Sequence, residues 1–117
     1  MQTSPTLNIA QPQLNLILGL LADRLPGASV IAFGSRVHDW PYGDGSKPYS
    51  DLDLAVWPAR PRNPGIDLAL AELRADLEDS ALPWRVDVSL ADDLPVPLRQ
   101  MVLQHGFGLP HAVGHAT

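Results

Sequence analysis

The chain has 117 residues, a net charge of −5 with only 8 basic residues, and no cysteine. This length predicts a single domain over 1–117, with a loose N-terminus at 1–12 and a mobile tail at 110–117. The charge excludes strong nucleic-acid binding, and the missing cysteines exclude disulfides and thiolate metal sites. No apolar run reaches the roughly 18 residues of a membrane helix, and the N-terminus lacks a signal-peptide pattern, so we expect a cytoplasmic protein with no membrane partner.

The first half of the chain predicts a helix, a strand and a loop. Apolar residues recur at helical spacing over 14–25, and Pro26-Gly27 ends the helix. The short apolar segment Ser29–Phe33, stopped by Gly34, is typical of a buried strand. Residues 40–49 are rich in proline and glycine, which predicts a loop.

The second half predicts two more strands, each followed by a helix. Residues 51–57 and 84–90 alternate polar and apolar side chains, which is the period of a strand. Apolar residues at helical spacing mark a helix within 66–77 and a last helix that ends near Gly106. The order of elements predicts an α/β or α+β fold, in which helices flank a small mixed sheet.

Three aspartates stand out on the predicted strands. Asp51 and Asp53 are two residues apart, so their side chains point to the same face of a strand, and Asp87 lies between two core valines of the next strand. Adjacent carboxylates repel unless a cation lies between them, and Mg²⁺ prefers carboxylate and phosphate oxygens. If the two strands are neighbours, the three carboxylates form a metal site with room for two ions. The alternative is an ordinary solvated strand face.

A tight turn follows the first predicted strand at Gly34-Ser35-Arg36. Glycine lets the backbone approach a ligand closely, and the N–H groups of such a turn can bind phosphate oxygens. Arg36 would add a positive charge for the same phosphates. The alternative is an ordinary strand-to-helix turn with a serine cap.

These motifs together resemble the polymerase-β-type nucleotidyltransferase superfamily. The resemblance rests on Ala-Phe-Gly-Ser-Arg at 32–36, Tyr-Ser-Asp-Leu-Asp-Leu-Ala-Val at 49–56 and Arg-Val-Asp-Val at 85–88, and it covers roughly residues 14–109. The short length resembles the minimal nucleotidyltransferases, including the antitoxins of HEPN-domain ribonuclease toxins. The resemblance implies that Gly34 and Ser35 hold a nucleoside triphosphate, that Asp51 and Asp53 ligate two Mg²⁺ ions, and that Asp87 completes the catalytic metal site.

The resemblance predicts an enzyme that transfers AMP from ATP to a protein hydroxyl, with a tyrosine of a HEPN-domain toxin as the acceptor. The chain departs from the family at His38 and Asp39, where a basic residue and a glycine are common, and in the long loop at 40–49. This departure favours an alternative, a binding module that neutralises its partner by contact alone. A third option, transfer to a small molecule, usually needs a further substrate domain.

Overall fold

A computed structural model describes residues 7–38, 40–41 and 51–110. Within this part of the chain the fold is α+β, with three helices and a four-stranded mixed sheet. The helices and strands run α1 (Gln11–Arg24), β1 (Ser29–Phe33), β2 (Leu52–Trp57), α2 (Pro64–Glu78), β3 (Val86–Leu90), α3 (Val96–His105) and β4 (Phe107–Gly108), with a short 3-10 turn at Ala91–Asp93 before α3.

The strand order in the sheet is β3-β2-β1-β4. Strand β1 is antiparallel to both β2 and β4, whereas β2 and β3 are parallel. Helix α2 connects the two parallel strands, as parallel neighbours require a crossover rather than a hairpin. The two strands that carry the acidic motifs are therefore adjacent.

The two faces of the sheet are covered unequally. Helices α1 and α2 pack on one face, where Leu52, Leu54 and Val56 of β2 are fully buried. Helix α3 packs on the other face, where a smaller cluster forms around Phe33 and Val102. Because side chains alternate along β2, Asp53 lies on the face of α3, between the two buried leucines.

Specific polar contacts fix the helices around this sheet. Asn63 caps α2, since its side chain accepts a hydrogen bond of 3.0 Å from the Ile66 N–H. Arg24, in the last turn of α1, contacts Asp76 of α2 with its Nε 2.7 Å from Oδ2. Helices α1 and α2 are thus joined by an ion pair as well as by the apolar core.

The predicted elements agree with the structure in type and order, and their boundaries differ by a few residues. Strand β4 was not predicted, because two residues after a helix carry no periodic signal. Nearly all of the predicted loop at 40–49 and of the tail at 110–117 lies outside the described residues, as does the first half, 1–6, of the predicted loose N-terminus at 1–12. No helix in the described ranges is long and apolar enough to cross a membrane.

Candidate active site

Two of the predicted site aspartates are direct neighbours across the sheet. Asp53 of β2 is the register partner of Asp87 of β3, and Asp53 is also paired with Phe33 of β1. Register partners on parallel strands project to the same face, so both carboxylates lie on the side of α3. Asp51 directly precedes β2 and is exposed. That Asp51 projects to the same face as Asp53 stays a prediction from their two-residue spacing.

The electrostatics of Asp53 reflect this crowding. Burial, together with the charges of Asp87 and Asp51, raises the pKa of Asp53 from its ordinary value of 3.8 to about 6. Asp87 has a compensating neighbour, since Arg85 Nε lies 3.0 Å from Asp87 Oδ1. The repulsion is therefore concentrated on the half-buried Asp53, which is the carboxylate that a divalent cation would stabilise most.

The turn after β1 brings the chain against the same carboxylate. Gly34 has a φ of +87°, a conformation that favours glycine, and a Cβ at this position would lie 2.5 Å from Asp53 Oδ2. Only a residue without a side chain fits here while Asp53 keeps its place. Ser35 follows in the same turn, which the hydrogen bond of 3.0 Å from the Val37 N–H to the Gly34 carbonyl closes. The structure thus places Gly34 beside Asp53, and the role of Ser35 as a phosphate ligand stays a prediction.

Arg36 has a buried environment in this turn. Its side chain is only 5% exposed, its guanidinium lies 4.3 Å from the centre of the Trp84 ring, and Nη1 donates a 2.9 Å hydrogen bond to the Asn8 carbonyl. Burial lowers the pKa of Arg36, and the charge of Asp51 opposes this effect. These contacts tie the N-terminal segment to the start of β3. The role of Arg36 as a phosphate ligand stays a prediction.

A groove of about 1090 Å³ runs along Asp53 and Asp87, the acidic pair, at the β3 edge of the sheet. Several residues that line it had no role in the sequence-based prediction: Phe33, Arg74, Glu78, Arg85, Ser89 and Leu98. Arg85 and Ser89 could have been found from the strand period, because they flank Asp87 at two-residue spacing. Leu98 could not, since it reaches the groove only through the packing of α3.

The donor set of the groove fits a hard divalent cation. Carboxylates from two adjacent strands meet beside a glycine turn that leaves space at Asp53, and Mg²⁺ binds carboxylate oxygens together with substrate phosphates. In 7–38, 40–41 and 51–110, no group of three or more His, Cys, Asp or Glu side chains is arranged so that it could hold a metal ion. The convergence of Asp51, Asp53 and Asp87 on shared ions therefore stays a prediction.

Comparison with known proteins adds an independent observation. No protein-family model matches the chain. The chain is 38% identical over 82 residues to the probable protein adenylyltransferase MntA of Haemophilus influenzae, and the alignment covers 70% of this chain. It spans 65% of the length of that protein. This similarity supports the resemblance to the minimal nucleotidyltransferases.

Proposed function

We propose that this chain is a minimal nucleotidyltransferase that transfers AMP from ATP to a hydroxyl group of another protein. The observation that carries the proposal is the register pairing of Asp53 with Asp87, directly beside the glycine turn at Gly34. A sheet that only needed a solvated face would gain nothing from a half-buried carboxylate beside a second one, since burial and the neighbouring charges raise the pKa of Asp53. The similarity to a probable protein adenylyltransferase supports the same reaction class.

The residues of the groove have distinct roles in this proposal. Asp53 and Asp87, with Asp51 at the rim, would hold two Mg²⁺ ions, and the backbone N–H groups at Gly34 and Ser35 would bind the triphosphate of ATP. Bound Mg²⁺ would lower the pKa of the acceptor hydroxyl and neutralise the leaving pyrophosphate. The acceptor oxygen forms a bond to the α-phosphorus while the bond from that phosphorus to pyrophosphate breaks, and the hydroxyl proton passes to solvent.

The proposed acceptor is a tyrosine of a HEPN-domain ribonuclease toxin, whose modification would silence the toxin. The groove supports a protein acceptor because it lies open along an edge strand, where a second protein can present a hydroxyl. The acidic charge of the chain is unsuited to a nucleic-acid acceptor. The toxin identity rests on the resemblance of the motifs.

Nucleotide binding is the first test. We expect calorimetry to detect ATP binding that requires Mg²⁺, and we expect Asp53→Asn to weaken it by removing a charged ligand while keeping the side-chain shape. Asp92→Asn is the matched control, because Asp92 is exposed and lies beyond the far end of β3. Absence of Mg²⁺-dependent ATP binding at millimolar concentration would exclude the enzyme.

Modification of the partner is the second test. After co-expression with a cognate HEPN-domain protein, we expect a stable complex and mass spectrometry to find AMP on a partner tyrosine. The double variant Asp51→Ala, Asp53→Ala should lose the modification and keep the complex. If this variant protects against toxicity as well as the wild type, and AMP is never detected, neutralisation by contact replaces catalysis as the function.

A further inference from the structure

Arg85 is a positively charged residue next to the acidic pair. Its carbonyl accepts a 2.9 Å hydrogen bond from the Leu52 N–H, and the next residue, Val86, is the register partner of Leu52. Arg85 therefore lies across from Asp51, and the two-residue spacing from Asp87 places its side chain on the same face. The group thus has four members: Asp51 just before β2, Asp53 on β2, Arg85 just before β3 and Asp87 on β3.

The side chain of Arg85 is held only loosely. It is 75% exposed, and its one ion pair joins Nε to Asp87 Oδ1 at 3.0 Å. The terminal nitrogens of the guanidinium have no other protein partner in the described part of the chain. An exposed ion pair contributes little to stability, so Arg85 can leave Asp87 without disturbing the fold.

The guanidinium groups of the other two arginines near the groove are held by contacts within the fold. Arg74 also lines the groove, but its Nε and Nη2 both donate to the Val88 carbonyl, at 3.1 and 2.6 Å. The guanidinium of Arg36 is buried over Trp84. Among the described arginines at this site, Arg85 alone presents terminal nitrogens at an exposed position over the acidic pair.

The excess of negative charge expected at the loaded site would be reduced by a positively charged side chain such as Arg85. Three carboxylates and a triphosphate together carry more negative charge than two Mg²⁺ ions neutralise. A guanidinium binds phosphate oxygens with paired, charge-assisted hydrogen bonds. A metal ion bound at Asp87 would release the whole guanidinium, including Nε, for such a contact.

We propose that Arg85 is a phosphate ligand. When the metal-bound nucleotide enters the groove, the Arg85 side chain leaves Asp87 and binds oxygens of the triphosphate. This proposal rests on the proposed nucleotidyltransferase function. In the free protein Arg85 competes with metal for Asp87, whereas in the complex it adds to nucleotide binding. Its removal should therefore have opposite effects on the two ligands.

The test uses Arg85→Met in the full chain with two separate probes. Without nucleotide, binding of Mn²⁺ followed by electron paramagnetic resonance should tighten by about threefold, because Asp87 loses a competing cation. Calorimetry with Mg²⁺ and ATP should show a dissociation constant raised by roughly tenfold, because a charge-assisted contact with phosphate is lost. Arg85→Lys, which keeps the charge without the paired donors, should fall between the wild type and Arg85→Met in ATP binding.

Arg60→Met is the matched control for loss of one positive charge. Arg60 is exposed and lies beyond Trp57, the far end of β2, which is already about 13 Å from Asp53 at 3.3 Å per residue, so neither constant should change. Weakening of both probes by Arg85→Met would indicate a structural role, tightening of both would indicate inhibition alone, and no change would indicate no role. Each of these results overturns the proposal while leaving ATP binding by the wild type intact. A wild type that binds no ATP overturns the proposed function together with it.

Discussion

Asp53 should destabilise the folded protein at neutral pH, and Asp53→Asn should relieve that effect. Burial, Asp87 and Asp51 together raise the pKa of this carboxyl from 3.8 to about 6. A raised pKa means that the folded state binds the proton more tightly than the unfolded state does. The ionised carboxylate therefore lowers stability, with no effect below the unfolded pKa and the full effect above the folded pKa.

The magnitude follows from the pKa difference. A change from 3.8 to about 6 corresponds to about 3 kcal/mol for a carboxyl sealed from solvent. Because Asp53 is half-buried, solvent screens part of the repulsion, and we expect a gain of about 1 to 2 kcal/mol from Asp53→Asn. The gain should be present at about pH 8 and should shrink as the pH falls through about 6 towards 4.

Urea denaturation in the presence of EDTA measures this effect, since the chelator removes any stabilising metal. The free energy of unfolding of Asp53→Asn should exceed that of the wild type at about pH 8, and the two should converge near pH 4. Asp92→Asn should differ little from the wild type at either pH. Equal or lower stability of Asp53→Asn at about pH 8 would refute the view that burial and the neighbouring carboxylates make ionised Asp53 unfavourable without a cation.

Two further substitutions test the surroundings of the pair. Gly34→Ala should lower the free energy of unfolding by about 1 to 2 kcal/mol and weaken Mg²⁺-dependent ATP binding, because its Cβ meets the Asp53 carboxylate at a φ of +87°. The control Gly19→Ala, with open space at its Cβ inside α1, should be neutral or stabilising in the same urea titration. Arg36→Met should lower stability by about 2 kcal/mol in thermal or urea denaturation, because a buried charge-assisted hydrogen bond and the stack on Trp84 are both lost. Unchanged stability would mean that these contacts contribute nothing.

Local patterns in the sequence determined the elements of the fold. The spacing of apolar residues was sufficient to predict β1, β2, β3 and the three helices within a few residues, because each element must bury one side. The same alternation predicted that Asp51 and Asp53 share one face, since that relation depends only on the two-residue period of a strand. The chemistry of adjacent carboxylates then indicated a cation.

Only the tertiary structure decided which strands are neighbours and in which register. The pairing of Asp53 with Asp87 depends on the crossover through α2, and a shift of one residue would turn Asp87 to the opposite face. The direction of Arg36 was equally hidden in the sequence, because its contacts with Asn8 and Trp84 join segments far apart in the chain. The two-residue period of a strand determines which face a side chain occupies, but packing between distant segments determines which strands are adjacent. The candidate site depends on that adjacency, because Asp53 and Asp87 lie on different strands.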